Sequence, residues 1–161
     1  MSVVIVDYPI ILLNLKTYEQ SIGQKSIDFA RIAERVYEKT GISIAIAPQI
    51  IDIAALTVSS ETPVFSQHID PVYYGKYTGH ILPEAVAEAG AIGTLLNHSE
   101  RQIPLEQIEE SIKRATEVDL MTVVCVDTVE TAKKVALLNP DAIAIEPPEL
   151  IGSGISVSTA Q

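Results

Sequence analysis

The sequence predicts a parallel α/β protein whose chemistry gathers at one end of its strands. Three observations carry that prediction. Short continuous apolar runs alternate with segments of helical period six times over. The connections between the runs are too long for hairpins, so successive strands run the same way with helices packed over them. The runs also end in Asn, Lys, Gln, His and Glu, and in parallel sheets the carboxyl ends of the strands are where sites are built.

The elements follow in order. Ile10-Ile11-Leu12-Leu13-Asn14-Leu15 is the first strand. Residues 21–39 form a helix, with Ile22, Phe29, Ile32, Ala33 and Val36 on one face, and Gly41 sits where a helix end favours a left-handed residue. Residues 42–47 are the second strand, stopped by Pro48; a short helix over 49–58 leads to the third strand at 63–67. Residues 69–82 break the rhythm with Asp70-Pro71, Gly75 and Gly79, and hold three of the six tyrosines, Tyr73, Tyr74 and Tyr77. Those rings either cover the chain's own surface or meet a partner. Pro83 opens a helix that Gly90 ends, and residues 92–97 are the fourth strand. The helix over 104–118 has proline and acidic residues at its start, as a helix N-terminus prefers. Residues 121–126 are the fifth strand, Thr128 caps a helix to Leu138, and 141–145 are the sixth strand.

Composition narrows the partners. A chain of 161 residues with 47% hydrophobic content supports one buried core, so a single domain over 1–161 is expected. The net charge of −10 argues against nucleic acid, and an anionic ligand would need a lysine and backbone N–H groups to offset it. Cys125 is the one cysteine and lies in an apolar run, which fits a reducing cytoplasm. Residues 3–15 are apolar, but Asp7 interrupts them without a basic segment before or a cleavage site after, and no run is long enough to span a membrane. Two architectures remain. An open doubly wound sheet would carry a glycine-rich turn after its first strand, where Asn14-Leu15-Lys16 stands instead. A (β/α)8 barrel needs eight units and about 250 residues, and six units are visible.

The strand ends make a legible set. Glu146 follows the sixth strand and precedes Pro147-Pro148 and Gly152-Ser153-Gly154, a loop with one stiff and one permissive end that suits a lid over a general base. His98 is a candidate electrophile or proton shuttle. A helix turn starting at Ser99 would favour its neutral imidazole. Lys16 supplies the positive charge that an anionic substrate needs, Glu100 can hold its ammonium, and Asn14 can orient it. A base and a carbonyl-polarising group beside an anion site suit proton abstraction next to a carbonyl. His68, His80 and His98 lack a metal-ligand spacing, so no metal is expected.

Asn14-Leu15-Lys16, Asn97-His98-Ser99-Glu100-Arg101 and Ile145-Glu146-Pro147-Pro148 through Gly152-Ser153-Gly154 resemble the triosephosphate isomerase family in its short archaeal form, from about Pro9 onward. The family is a familiar worked case of a carboxylate base beside a neutral imidazole, and of lid closure. The resemblance implies a (β/α)8 TIM barrel, incomplete here with six strands and the last two βα units absent. It implies interconversion of dihydroxyacetone phosphate and glyceraldehyde 3-phosphate through an enediol(ate), without a cofactor. Glu146 matches the base, His98 the neutral electrophile, Lys16 the substrate-binding cation and Glu100 its paired carboxylate, beside Ser99. Backbone groups near Ile151 and Gly152 match the phosphate-binding part of the lid. Tyr77-Thr78-Gly79-His80 looks like the family's protruding third loop, which implies a dimer or tetramer joined through residues 70–80. With two units missing, the parent protein is expected to be the isomerase, and the 161-residue polypeptide to need complementation by the missing segment or another copy. Two alternatives stay open: another barrel isomerase or lyase acting on a phosphorylated sugar, and a non-catalytic assembly module.

Overall fold

The computed structural model describes residues 8–146; Ile151, Gly152 and the rest of the expected lid lie outside them. The strands are β1 (Ile10–Asn14), β2 (Ser43–Ala47), β3 (Phe65–Ser66), β4 (Gly93–Leu96), β5 (Met121–Val126) and β6 (Ala142–Ile145). The helices between them are α1 (Gln24–Thr40), α2 (Ile53–Ser59), α3 (Pro83–Glu88), α4 (Leu105–Glu117) and α5 (Val129–Ala136). Each strand lies parallel beside its neighbour in sequence, in the order β1-β2 and then β3-β4-β5-β6. The parallel bridge Ile46–Val64 joins the two groups, with Ile46 N–H donating to Pro63 O at 2.9 Å.

Side-chain parity along the strands then separates two cores. Ala45, Ala47, Phe65, Leu95 and Cys125 point to one face, with Leu12, Val123 and Ala144 packed against them. Ile46, Val64, Leu96, Val124 and Val126 point to the other. There they meet residues of all five helices, among them Ala30, Leu56, Val86, Ile112 and Val135. Sequential strand order with every helix on one side is the wall of a (β/α)8 barrel, six strands of it, and rules out the doubly wound sheet. Among the described residues β1 pairs only with β2 and β6 only with β5, so the wall is open at both edges.

Local chemistry fixes the joints. Gly41 ends α1 at φ 70°, donating its N–H to Tyr37 O at 2.8 Å. The Thr128 hydroxyl caps α5 by accepting from Thr131 N–H. Asp141 accepts from both the N–H (2.7 Å) and the hydroxyl (3.0 Å) of Thr122, which pins the start of β6 to β5. Gly93 is required by contact: a Cβ there would lie 2.3 Å from the Phe65 ring and 2.8 Å from Met121 O.

Three expectations change in detail. The third strand is two residues long, because Pro63 has no N–H to give a ladder and contributes only its carbonyl. The buried seam of α1 is Ser26, Ala30 and Ala33, with Ile27 and Phe29 beside it; Ile32 is exposed, and Ile22 precedes the helix and is exposed too. The fourth helix begins at Leu105, with Pro104 at its cap.

Candidate active site

The carboxyl ends of β1 to β4 surround a cavity of about 330 Å³ lined by Asn14, Lys16, Thr17, Gln49, Ile50, Gln67, His68, Ile81, His98, Glu100 and Arg101. Glu146 does not line it and reaches the same region through His98 and Ser99.

Lys16 follows β1 in a left-handed backbone conformation, φ 51°. Its N–H donates to Asn14 Oδ1 at 2.9 Å. Two side-chain amides from the next strand ends hold its carbonyl oxygen, Gln49 Nε2 at 2.7 Å and Gln67 Nε2 at 2.9 Å. Gln67 also donates to Ala47 O, so β1, β2 and β3 are tied together at the rim. The ammonium of Lys16 donates to Glu100 Oε1 at 2.9 Å. That hydrogen bond, opposed by partial burial and helped by the charge of Glu100, raises the lysine above its ordinary value. The same bond holds the Glu100 carboxyl below the usual carboxylate range. The ammonium is therefore a fixed positive charge at the mouth of an acidic protein.

Asn97 takes a left-handed conformation at φ 57° and is buried. Its amide donates to Cys125 O at 2.8 Å and accepts from Ile103 N–H at 2.9 Å, which shapes the segment carrying His98. Arg101 N–H closes a turn onto His98 O at 2.7 Å. That single turn spans 98–101 and does not continue into a helix. Glu100 N–H points at His98 Nδ1 at 3.1 Å. In that contact Nδ1 is the acceptor and Nε2 is left as the donor, while the Glu100 carboxylate lies 3.7 Å from Nδ1. Nε2 faces Glu146 Oε1 at 3.2 Å, and the other carboxylate oxygen accepts from Ser99 N–H at 3.0 Å. Glu146 itself is placed by its N–H bond to Val126 O at 2.7 Å, an extension of the β5–β6 ladder.

The expected residues Asn14, Lys16, His98, Ser99, Glu100 and Glu146 thus come together from three strand ends. Sequence reasoning missed the Gln49 and Gln67 clamp on Lys16 and the structural duty of Asn97. Cys125, expected only as a lone thiol in an apolar run, lies close enough to Glu146 that its thiol is pushed up to about 12 by burial and then by the charge and hydrogen bond of Glu146. The signal for the clamp was available as glutamines just past two strand ends. Among the described residues no three His, Cys, Asp or Glu side chains converge as a metal site needs.

The triosephosphate isomerase family model matches residues 9–161. The chain belongs to the triosephosphate isomerase family. It is 52% identical over 152 residues to the triosephosphate isomerase of Methanosarcina acetivorans, covering 94% of this chain and 68% of that protein. It is 48% identical over 151 residues to that of Methanocaldococcus jannaschii, with 94% and 69% covered. In fold it is similar to the crystal structure of the triosephosphate isomerase from Bartonella henselae, with TM-score 0.72 at 21% identity, covering 86% of this chain and 67% of that one. The chain thus has the short archaeal members as close relatives and the family's barrel as its architecture.

Proposed function

We propose that this chain is an isomerase that interconverts dihydroxyacetone phosphate and glyceraldehyde 3-phosphate, the triose phosphate step of glycolysis and gluconeogenesis. The observation that carries the reading is the Glu100 N–H on His98 Nδ1, which leaves Nε2–H as a neutral donor beside the Glu146 carboxylate. The proton between the two substrate carbons is acidic only if charge developing on the carbonyl oxygen is stabilised. A neutral imidazole N–H and a nearby ammonium do this without themselves protonating the base.

In the mechanism, the phosphate enters the cavity toward Lys16, and the substrate carbonyl takes the hydrogen bond of His98 Nε2. Glu146 gives up that bond and the Ser99 N–H and turns to the substrate. It removes a proton from the carbon next to the carbonyl, forming an enediolate whose oxygen is held by His98. His98 gives its Nε2 proton to the enediolate oxygen it holds and takes the proton of the neighbouring hydroxyl. The carboxyl then returns its own proton to the neighbouring carbon as that second oxygen becomes the new carbonyl, so both protons are accounted for within the site. Glu100 keeps Lys16 charged and in place, and Asn14 fixes the backbone it stands on. Ile151 and Gly152 are assigned the phosphate contacts of the lid. The protein is placed in the cytoplasm and assembles with copies of itself through residues 70–80, where Tyr74 is 75% exposed, as a dimer or tetramer.

The experiment is Glu146→Gln, assayed for isomerisation on the protein isolated at its natural length. Glutamine can still accept from Ser99 N–H, so the fold stays. We expect kcat/KM to fall about 10²–10⁴-fold or more while binding of inorganic phosphate is kept. A loss smaller than tenfold removes Glu146 from the chemistry.

A further inference from the structure

We propose that Asp70 is a positioning residue, joining the neck of the 69–82 loop to the turn that carries His98. This rests on the proposed role of His98. Asp70 makes polar contacts to both loops. Its Oδ2 accepts from Ile81 N–H at 2.6 Å and its own N–H donates to Ile81 O at 2.9 Å, so two bonds close the neck of a segment without helix or strand. Its Oδ1 lies 3.3 Å from His68 Nε2 and 3.6 Å from Arg101 Nη2. Arg101 belongs to the other loop and is the residue whose N–H closes the turn onto His98 O. Asn97 holds that turn on its β5 side through Cys125 O and Ile103 N–H; the Arg101–Asp70 pair holds it on the β3 side.

The carboxylate is more than closing the neck requires. An asparagine oxygen would accept from Ile81 equally well, and the charge is added where His68 and Arg101 face it. Burial pushes the Asp70 carboxyl up, but the Ile81 N–H, His68 and Arg101 outweigh this and keep it below the usual carboxylate range. It is therefore ionised when paired to Arg101. A small displacement of a catalytic donor is costly in rate, so loosening this pair should reach His98 through the 98–101 turn.

The test uses Asp70→Asn and Arg101→Gln. The second changes a side chain that is 55% exposed and so keeps the fold. Backbone hydrogen exchange is read at Ile81, Glu100 and Arg101. Coupling is reciprocal. Asp70→Asn should speed exchange at Glu100 and Arg101, and Arg101→Gln should speed it at Ile81, each roughly 2- to 5-fold as for a partly exposed pair. In turnover, both should lower kcat several-fold; Asp70→Asn should do so with KM little changed, because Asp70 does not line the cavity and Lys16 and Arg101 keep their charges. The double variant should be no slower than the slower single one. Exchange that changes only at Ile81 in Asp70→Asn, an unmoved Ile81 in Arg101→Gln, or multiplicative losses in kcat would overturn the proposal. If the unsubstituted protein shows no isomerase turnover, the functional reading fails, and the exchange measurements still decide the coupling.

Discussion

Arg114→Met should be among the more destabilising single changes in this protein. The Arg114 side chain is 4% exposed on α4. It is ion-paired to Glu84 of α3 and to Glu117 one turn along its own helix. Its Nε donates to Val72 O at 3.1 Å, and its guanidinium lies 3.8 Å from the centre of the Tyr73 ring. Methionine keeps the apolar stem and removes everything else. Val72 O loses a charged donor, about 1.5–3 kcal/mol. Glu84, one-fifth exposed, is left without its cation, and breaking a buried pair costs about 3–5 kcal/mol. Glu117 is more exposed and adds under about 1 kcal/mol, as does the ring contact. These losses overlap, since Glu84 can bind a proton once the arginine has gone, so the net is about 3–4 kcal/mol. With a urea m-value of about 2 kcal/mol/M, the midpoint falls by about 1.5–2 M at unchanged m. Adding Glu84→Leu should recover most of it, because the stranded carboxylate dominates the loss. A midpoint shift below about 0.3 M for Arg114→Met would refute this account of how the tyrosine loop is anchored.

Two further outcomes follow from buried ionisable groups. Burial, and then the charge of Arg101, lower His68 below its ordinary value of 6.5, against the opposing pull of Asp70. The unfolded chain thus binds that proton more readily, and stability falls as pH drops from about 6.5 toward the folded value; urea midpoints at stepped pH should show this slope, and His68→Gln should flatten it. The Cys125 thiol, buried and pushed up to about 12, should resist a thiol-specific reagent at pH 8 in the folded protein and react after unfolding in urea.

Strand and helix order was legible because hydrophobic period depends on neighbours in sequence. What was not legible depends on neighbours in space. Ile32 fits a helical face drawn on paper, yet the wall takes α1 through Ser26, Ala30 and Ala33, small residues that let it approach the sheet. Residues 63–67 look like a full strand, but Pro63 removes the donor that pairing would need. In the site, residue types at strand ends pointed to Lys16, His98 and Glu146. What faces His98 Nδ1 is a single N–H from Glu100, two residues along the same turn, which only the folded backbone reveals. Nothing local marks Arg114, because its partners Glu84 and Val72 are distant in sequence and meet it only in the fold.

The conformation of Lys16 has a consequence for how this chain can vary. Among the described residues, the other non-glycine positions with positive φ are Asn97, Asp119 and Asn139, residue types that tolerate the left-handed region. Lysine does not share that tolerance. At this position local backbone preference and site chemistry ask for different residues. A library of variants ranked only by resistance to heat should enrich glycine or asparagine at 16. The same library ranked by turnover should return lysine, and the disagreement between the two rankings would mark this position without reference to any structure.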